Sequence, residues 1–154
     1  ALLGGLASGR FSSAEAILRC YAERHFPGNP DDWCELMLHF RNYESLDLQP
    51  ARRLLEKLAG TRTENRRIEA FRETLNMRQH DLAVRAAGTW DADRLAHARA
   101  YLTAKERLWG RCYRMGLGMH IFKFDWQMPE WYRAYSEATR VQGVAASGGI
   151  EREA

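Results

Sequence analysis

The stretch from 61 to 118 constrains this chain most. It reads as two long helices separated by a break at Gly88, Thr89 and Trp90. Thr61 and Glu64 stand three apart, as in a capping box, where each side chain satisfies the other's free amide. Ile68, Phe71, Leu75 and Leu82 then recur at spacings of three, four and seven. At about 3.6 residues per turn these spacings fall on one side of a helix. The second arm opens on Asp91, a good N-cap, with Asp93 in its first turn beside the positive end of the helix dipole. Its apolar stripe is Leu95, Ala98, Leu102, Trp109 and Cys112, and Gly116 and Gly118 supply its stop. A short break between two such helices favours antiparallel packing, stripe against stripe.

Upstream, the pattern is also helical. Ser12 and Glu15 form a second capping box, with Phe11 before it, and start a helix expected over 14–25. Ala14, Ile17, Leu18 and Tyr21 would form its buried face. The run Phe26, Pro27, Gly28, Asn29 and Pro30 breaks it. Asn29 then reads as an N-cap and Pro30 as the first helical residue, with Asp31 and Asp32 suited to the dipole. That second helix, about 30–44, would bury Trp33, Leu36, Met37 and Phe40. Pro50 begins a short third helix carrying Leu54, Leu55 and Leu58 and ending at Gly60.

Downstream of Gly118 the texture changes. Phe122 to Trp126 alternates apolar and polar residues, a strand signal without a partner strand. An extended connector whose aromatics clamp onto the helices is the preferred reading, with strand pairing across a dimer as the alternative. A last helix is expected over 129–142, with Trp131, Tyr132, Tyr135 and Ala138 on or near one face. Residues 1–10 and 143–154 read as flexible or peripheral ends.

The expected fold is therefore all-α, a single-domain helical bundle (1–154) of about six helices built around the antiparallel hairpin. At 154 residues the chain is long enough for one real core. No apolar run approaches the ~20 residues that span a bilayer, so no membrane partner is expected. The opening residues lack a basic n-region and read as an interior or trimmed start, not a signal peptide. Three cysteines, Cys20, Cys34 and Cys112, are odd in number and widely spaced, which fits a reduced, cytoplasmic protein better than a disulfide scaffold.

Charge distribution carries the functional reading. Net charge is only +3, but residues 1–50 sum to −3, residues 51–118 to +7 and residues 119–154 to −1. Arginine outnumbers lysine twenty to three. A GC-rich genome explains that bias; so does selection for guanidinium forks, which grip phosphate or carboxylate in bidentate fashion. On a helical wheel Arg67, Arg78 and Arg85 fall almost in line beside the first arm's apolar stripe. Arg107, Arg111 and Arg114 lie opposite the second arm's stripe. Two exposed arginine rows on one hairpin are expected to engage an anionic partner.

Catalytic and metal chemistry have little support. Cys20 with His25 and Cys34 with His39 repeat one spacing, but residues five apart on a helix diverge by about 140° and cannot chelate together. Asp31 and Asp32, like Asp91 and Asp93, are explained by capping. Neither glycine pair resembles a phosphate loop, and no Glu-x-x-His di-iron motif occurs. No catalytic residue, cofactor or metal is expected. Trp126, Trp131, Tyr132 and Tyr135 crowd one stretch; they close the bundle with large side chains or stack on unpaired bases.

The leading expectation is a non-enzymatic nucleic-acid-binding module, or a small subunit of a nucleoprotein complex. It would meet the DNA or RNA backbone through Arg62, Arg66, Arg67, Arg78, Arg85, Arg107, Arg111 and Arg114. Small helical subunits of nucleoprotein assemblies, including RNA-guided interference complexes, offer an analogy of build. The alternative is a protein-interaction module (adaptor, inhibitor, immunity protein, or phage or plasmid accessory factor) whose basic and aromatic surfaces meet an acidic protein. A homodimer or a place in a larger complex is compatible with either.

Overall fold

The computed structural model describes residue 9 and residues 11–60, 62–114 and 128–150, with side chains at 66–110 of the third stretch and 128–142 of the last. Six helices follow one another: α1 (Ala14–His25), α2 (Pro30–His39), α3 (Leu48–Lys57), α4 (Arg62–Ala86), α5 (Ala92–Arg114) and α6 (Tyr132–Ile150). There is no strand among the described residues. The fold is all-α, a bundle of packed helices, and none of the described helices is long and apolar enough to cross a membrane. The chain divides into two compact units, 1–75 and 76–154, with the boundary inside α4.

In the first unit, side-chain caps set the helix starts. Ser13, not Ser12, caps α1: its hydroxyl accepts from the Ala16 amide at 3.1 Å. This places Glu15 one position too early for the expected reciprocal bond. Asn29 precedes α2 without a side-chain cap, and Pro30 at the first helical position needs no acceptor for its nitrogen. Asp31 pairs with Arg19 of α1, and Asp32 with Lys57 of α3 at 2.8 Å. The two acids thus fasten neighbouring helices besides suiting the dipole. α2 ends at His39, five residues short of expectation. α3 starts at Leu48, capped by Asp47, so that Pro50 sits inside the first turn, where an amide has no intrahelical acceptor anyway.

The core of this unit joins Ala22, Phe26, Trp33, Cys34, Leu36, Leu46, Ala51, Leu54, Leu55, Leu58, Ile68 and Leu75. Phe26 and Trp33 stack nearly parallel, centroids 4.0 Å apart, and Phe40 meets Phe71 edge-on at 4.7 Å. Such pairs contribute about 0.5–1.5 kcal/mol beyond their buried area. Tyr21, expected on the buried face of α1, is exposed; Ala22 is buried instead, and Tyr21 lies against His25.

The second unit contains the turn of the hairpin. Asp91 caps α5 as expected, accepting from the Arg94 amide at 2.9 Å. His80 and His97, eight positions before the break and seven after it, meet across it, as antiparallel neighbours do. Among its described residues the buried side chains are Met77, Arg78, Asp81, Val84, Leu95, Ala98, Tyr101, Ala104, Leu108 and Trp131. Two expectations fail in this set. Leu82 is 39% exposed and Trp109 is 41% exposed, whereas Leu108 is 1% exposed. The physical reason is Trp131 of the segment leading into α6. Its ring meets Tyr101 edge-on at 5.1 Å, and its indole bonds Asp81. Burying Tyr101 and Asp81 turns the inward faces of both arms away from Leu82 and Trp109. α6 itself runs to Ile150, so residues 143–150, read from sequence as a frayed end, are helical. Thr61, the Gly116 and Gly118 stop and the Phe122–Trp126 segment fall outside the described residues, and the side chains of Glu64 and Cys112 are not described either.

Candidate nucleic-acid interface

The arginines of α4 do not form an exposed row. Arg78 is 7% exposed and its Nη1 lies 3.0 Å from Asp81 Oδ2. Arg85 donates from Nε to Asp81 Oδ1 at 2.9 Å and reaches toward Glu130 at 3.8 Å. Trp131 Nε1 donates to the same Asp81 oxygen at 2.8 Å. Asp81 is itself 1% exposed, so one buried carboxylate gathers two guanidinium groups and an indole. A phosphate reaching Arg78 would have to displace that carboxylate. The expectation for Arg78, and in large part for Arg85, is therefore corrected: these side chains hold the second unit together.

Arg67 also departs from expectation. It is half-buried, with its guanidinium 4.8 Å from the centroid of Phe26, a cation–π contact inside the first unit. Arg66 is exposed. Arg62, Arg111 and Arg114 occupy helical positions, but their side chains are among those not described.

On α5 the picture differs. Ala92–Arg114 carries six Arg or Lys residues against two acids, Asp93 and Glu106. Arg107 is exposed, as expected, and so is Arg99, which the sequence reading passed over. Among the described residues neither forms an ion pair. Eight positions separate them, about 12 Å of helix axis. Arg94, by contrast, lies over the Trp90 ring at 4.1 Å and is half-buried.

Asp81 was legible as a partner for the first row. It stands three residues after Arg78 and four before Arg85, the spacings at which helical side chains meet. A wheel that scores only apolar residues does not register it. The aromatic group is partly structural as well: Trp131 is buried, with Trp90 and Tyr135 within 6.4 Å of its ring centroid.

The remaining titratable groups are spread out. Cys20 is exposed and Cys34 buried, and burial pushes the Cys34 thiol up from its ordinary value. His25 lies on Tyr21, and His39 approaches Glu35 at 3.9 Å. Among the described residues no three His, Cys, Asp or Glu side chains converge as a metal set. His80 and His97 do converge, Nδ1 to Nδ1 at 2.9 Å, and burial, then His97, holds His80 below the usual imidazole value.

In comparison with known proteins, no family model, curated protein or solved structure matches the chain.

Proposed function

We propose that this protein is a binding module that contacts the phosphate backbone of a nucleic acid through the solvent face of α5. One observation supports the reading above the rest. Where α4 uses Arg78 and Arg85 internally, α5 leaves Arg99 and Arg107 exposed and without ion pairs among the described residues. Arg111 and Arg114 continue the same helix toward its C-terminal end. Guanidinium groups so arranged bind phosphate by charge and by paired N–H donors, and they position a partner without reading its sequence. This narrows the interface from the whole hairpin to one arm.

The test is fluorescence anisotropy with labelled single- and double-stranded DNA and RNA across a salt series. Binding through phosphates weakens steeply with salt, and each lost contact reduces the slope of log affinity against log salt by about one. Arg99→Glu with Arg107→Glu is expected to weaken all four probes together and flatten that slope. Absence of binding at low salt would reject the reading. It would leave an acidic protein surface as the partner, a second reading favoured by exposed Trp109 on the same helix as these arginines.

A further inference from the structure

Seventeen positions separate His80 from His97, yet the hairpin brings their Nδ1 atoms to 2.9 Å. That is hydrogen-bond distance. The rings are tilted by 44° with centroids 5.2 Å apart, so they meet along their edges and do not stack. One hydrogen fits on the line between the two nitrogens. One ring must therefore donate from Nδ1, and the other must accept there with a bare lone pair. Both rings are half-buried, so protons reach them from water.

The surroundings decide which ring accepts. Burial first, and then His97, holds His80 below the ordinary imidazole range. His80 is thus the ring that stays neutral, accepting at Nδ1 with its own hydrogen on Nε2, and His97 donates. Few other charges face the pair. On α5, Asp93 Oδ2 stands 4.0 Å from His97 Nε2, too far for a hydrogen bond, and is highly exposed. Arg94 lies over Trp90, and the Tyr101 ring meets Trp131. On α4, Asp81 is turned to Arg78, Arg85 and Trp131. The residues one helical turn from His80, namely Asn76, Met77, Ala83 and Val84, are uncharged. In the segment leading into α6, Glu130 reaches toward Arg85.

We propose that the His80–His97 bond is a proton-operated latch between α4 and α5, closed while at most one of the two rings is charged and open once both are. The neutral pair is held by one N–H···N bond. A first proton, entering at Nε2 of His97, leaves that bond in place and makes its donor cationic, which strengthens it. A second proton has only the Nδ1 lone pair of His80 to occupy, because Nε2 of that ring already carries a hydrogen. Two N–H groups and two positive charges then face each other across 2.9 Å, and the rings must part. The pair takes up its protons in two steps that belong to it jointly. Met77, Val84, Leu95 and Ala98 are buried and carry no charge. The apolar packing of the arms therefore outlasts the latch, and opening stays local to the closed end of the hairpin. This device is independent of the α5 arginines.

Long-range proton–nitrogen correlation spectra of the 15N-labelled full chain, recorded from about pH 8 down to about pH 4.5, span imidazole titration and test it. At the upper end one Nδ1 should carry a hydrogen and the other should be bare, the bare one belonging to His80. Two resolved protonation steps are expected, with His80 charged only in the second. At that second step the bridging hydrogen and the ring-to-ring contact should be lost. The amides flanking the turn should lose exchange protection there, while those of α1, α2 and α3 keep theirs. His97→Gln should move the titration of His80 upward, since the facing positive charge is gone. The wild-type titration carries the test even if that variant misfolds. Both rings titrating together in one step, two neutral Nδ1 atoms that are alike, or turn amides indifferent to the second step would overturn the proposal.

Discussion

Replacing Asp81 by alanine is the sharpest test of how the second unit is held. The carboxylate is 1% exposed and accepts from Trp131 Nε1 at 2.8 Å, Arg85 Nε at 2.9 Å and Arg78 Nη1 at 3.0 Å. These three donors lose different amounts. Arg85 is 37% exposed at its side chain and can turn to water, so its share is about 0–1 kcal/mol. The stranded indole costs about 1–3 kcal/mol. Arg78 is the dominant loss, because removing one partner of a buried ion pair costs about 3–5 kcal/mol. These losses overlap, so Asp81→Ala is expected to lower stability by about 3–5 kcal/mol in urea unfolding followed by circular dichroism. Adding Arg78→Met should restore most of that loss, since replacing a whole buried pair by apolar groups is close to neutral. A cost under about 1 kcal/mol for Asp81→Ala, or a further drop on adding Arg78→Met, would refute the assignment of Asp81 as the charge centre of this unit.

Three further outcomes follow from burial and titration. Leu108→Ala should cost about 2–5 kcal/mol, whereas Trp109→Ala should cost under about 1 kcal/mol; the reverse ranking in urea unfolding would restore the register read from sequence. His80 is held below its ordinary imidazole value by burial and by His97, with Asp93 behind that partner. The unfolded chain therefore takes up this proton at higher pH than the folded chain does. Stability from this group is full above about pH 6.5 and declines as pH falls through that value. His80→Gln should flatten that part of a pH–stability curve. Cys20 is exposed and Cys34 buried with its thiol pushed up, so mass spectrometry after brief maleimide labelling should find Cys20 modified and Cys34 untouched.

Local chemistry settled much of this fold in advance. Asp91 caps α5 because its side chain needs only the amide three residues on, and Pro30 opens α2 because its ring suits a first turn. Apolar spacing placed Ile68 and Leu75 inside, as well as Leu54, Leu55 and Leu58. Each of these depends on neighbours within a few positions, which a linear chain displays openly. Even the ion-pair spacing of Arg78, Asp81 and Arg85 was on view.

Tertiary structure decided the rest. Trp131 lies 50 positions from Asp81 in the chain, and its indole is one reason that carboxylate can be buried. With Asp81 inside, Arg78 becomes a core residue, and with Tyr101 against Trp131 the buried face of α5 takes Leu108 in place of Trp109. His80 and His97 meet only because the helices fold back on each other. From sequence alone an arginine row and an arginine spent on a buried acid look alike. The difference is the solvation of one carboxylate, set by which distant side chains close over it.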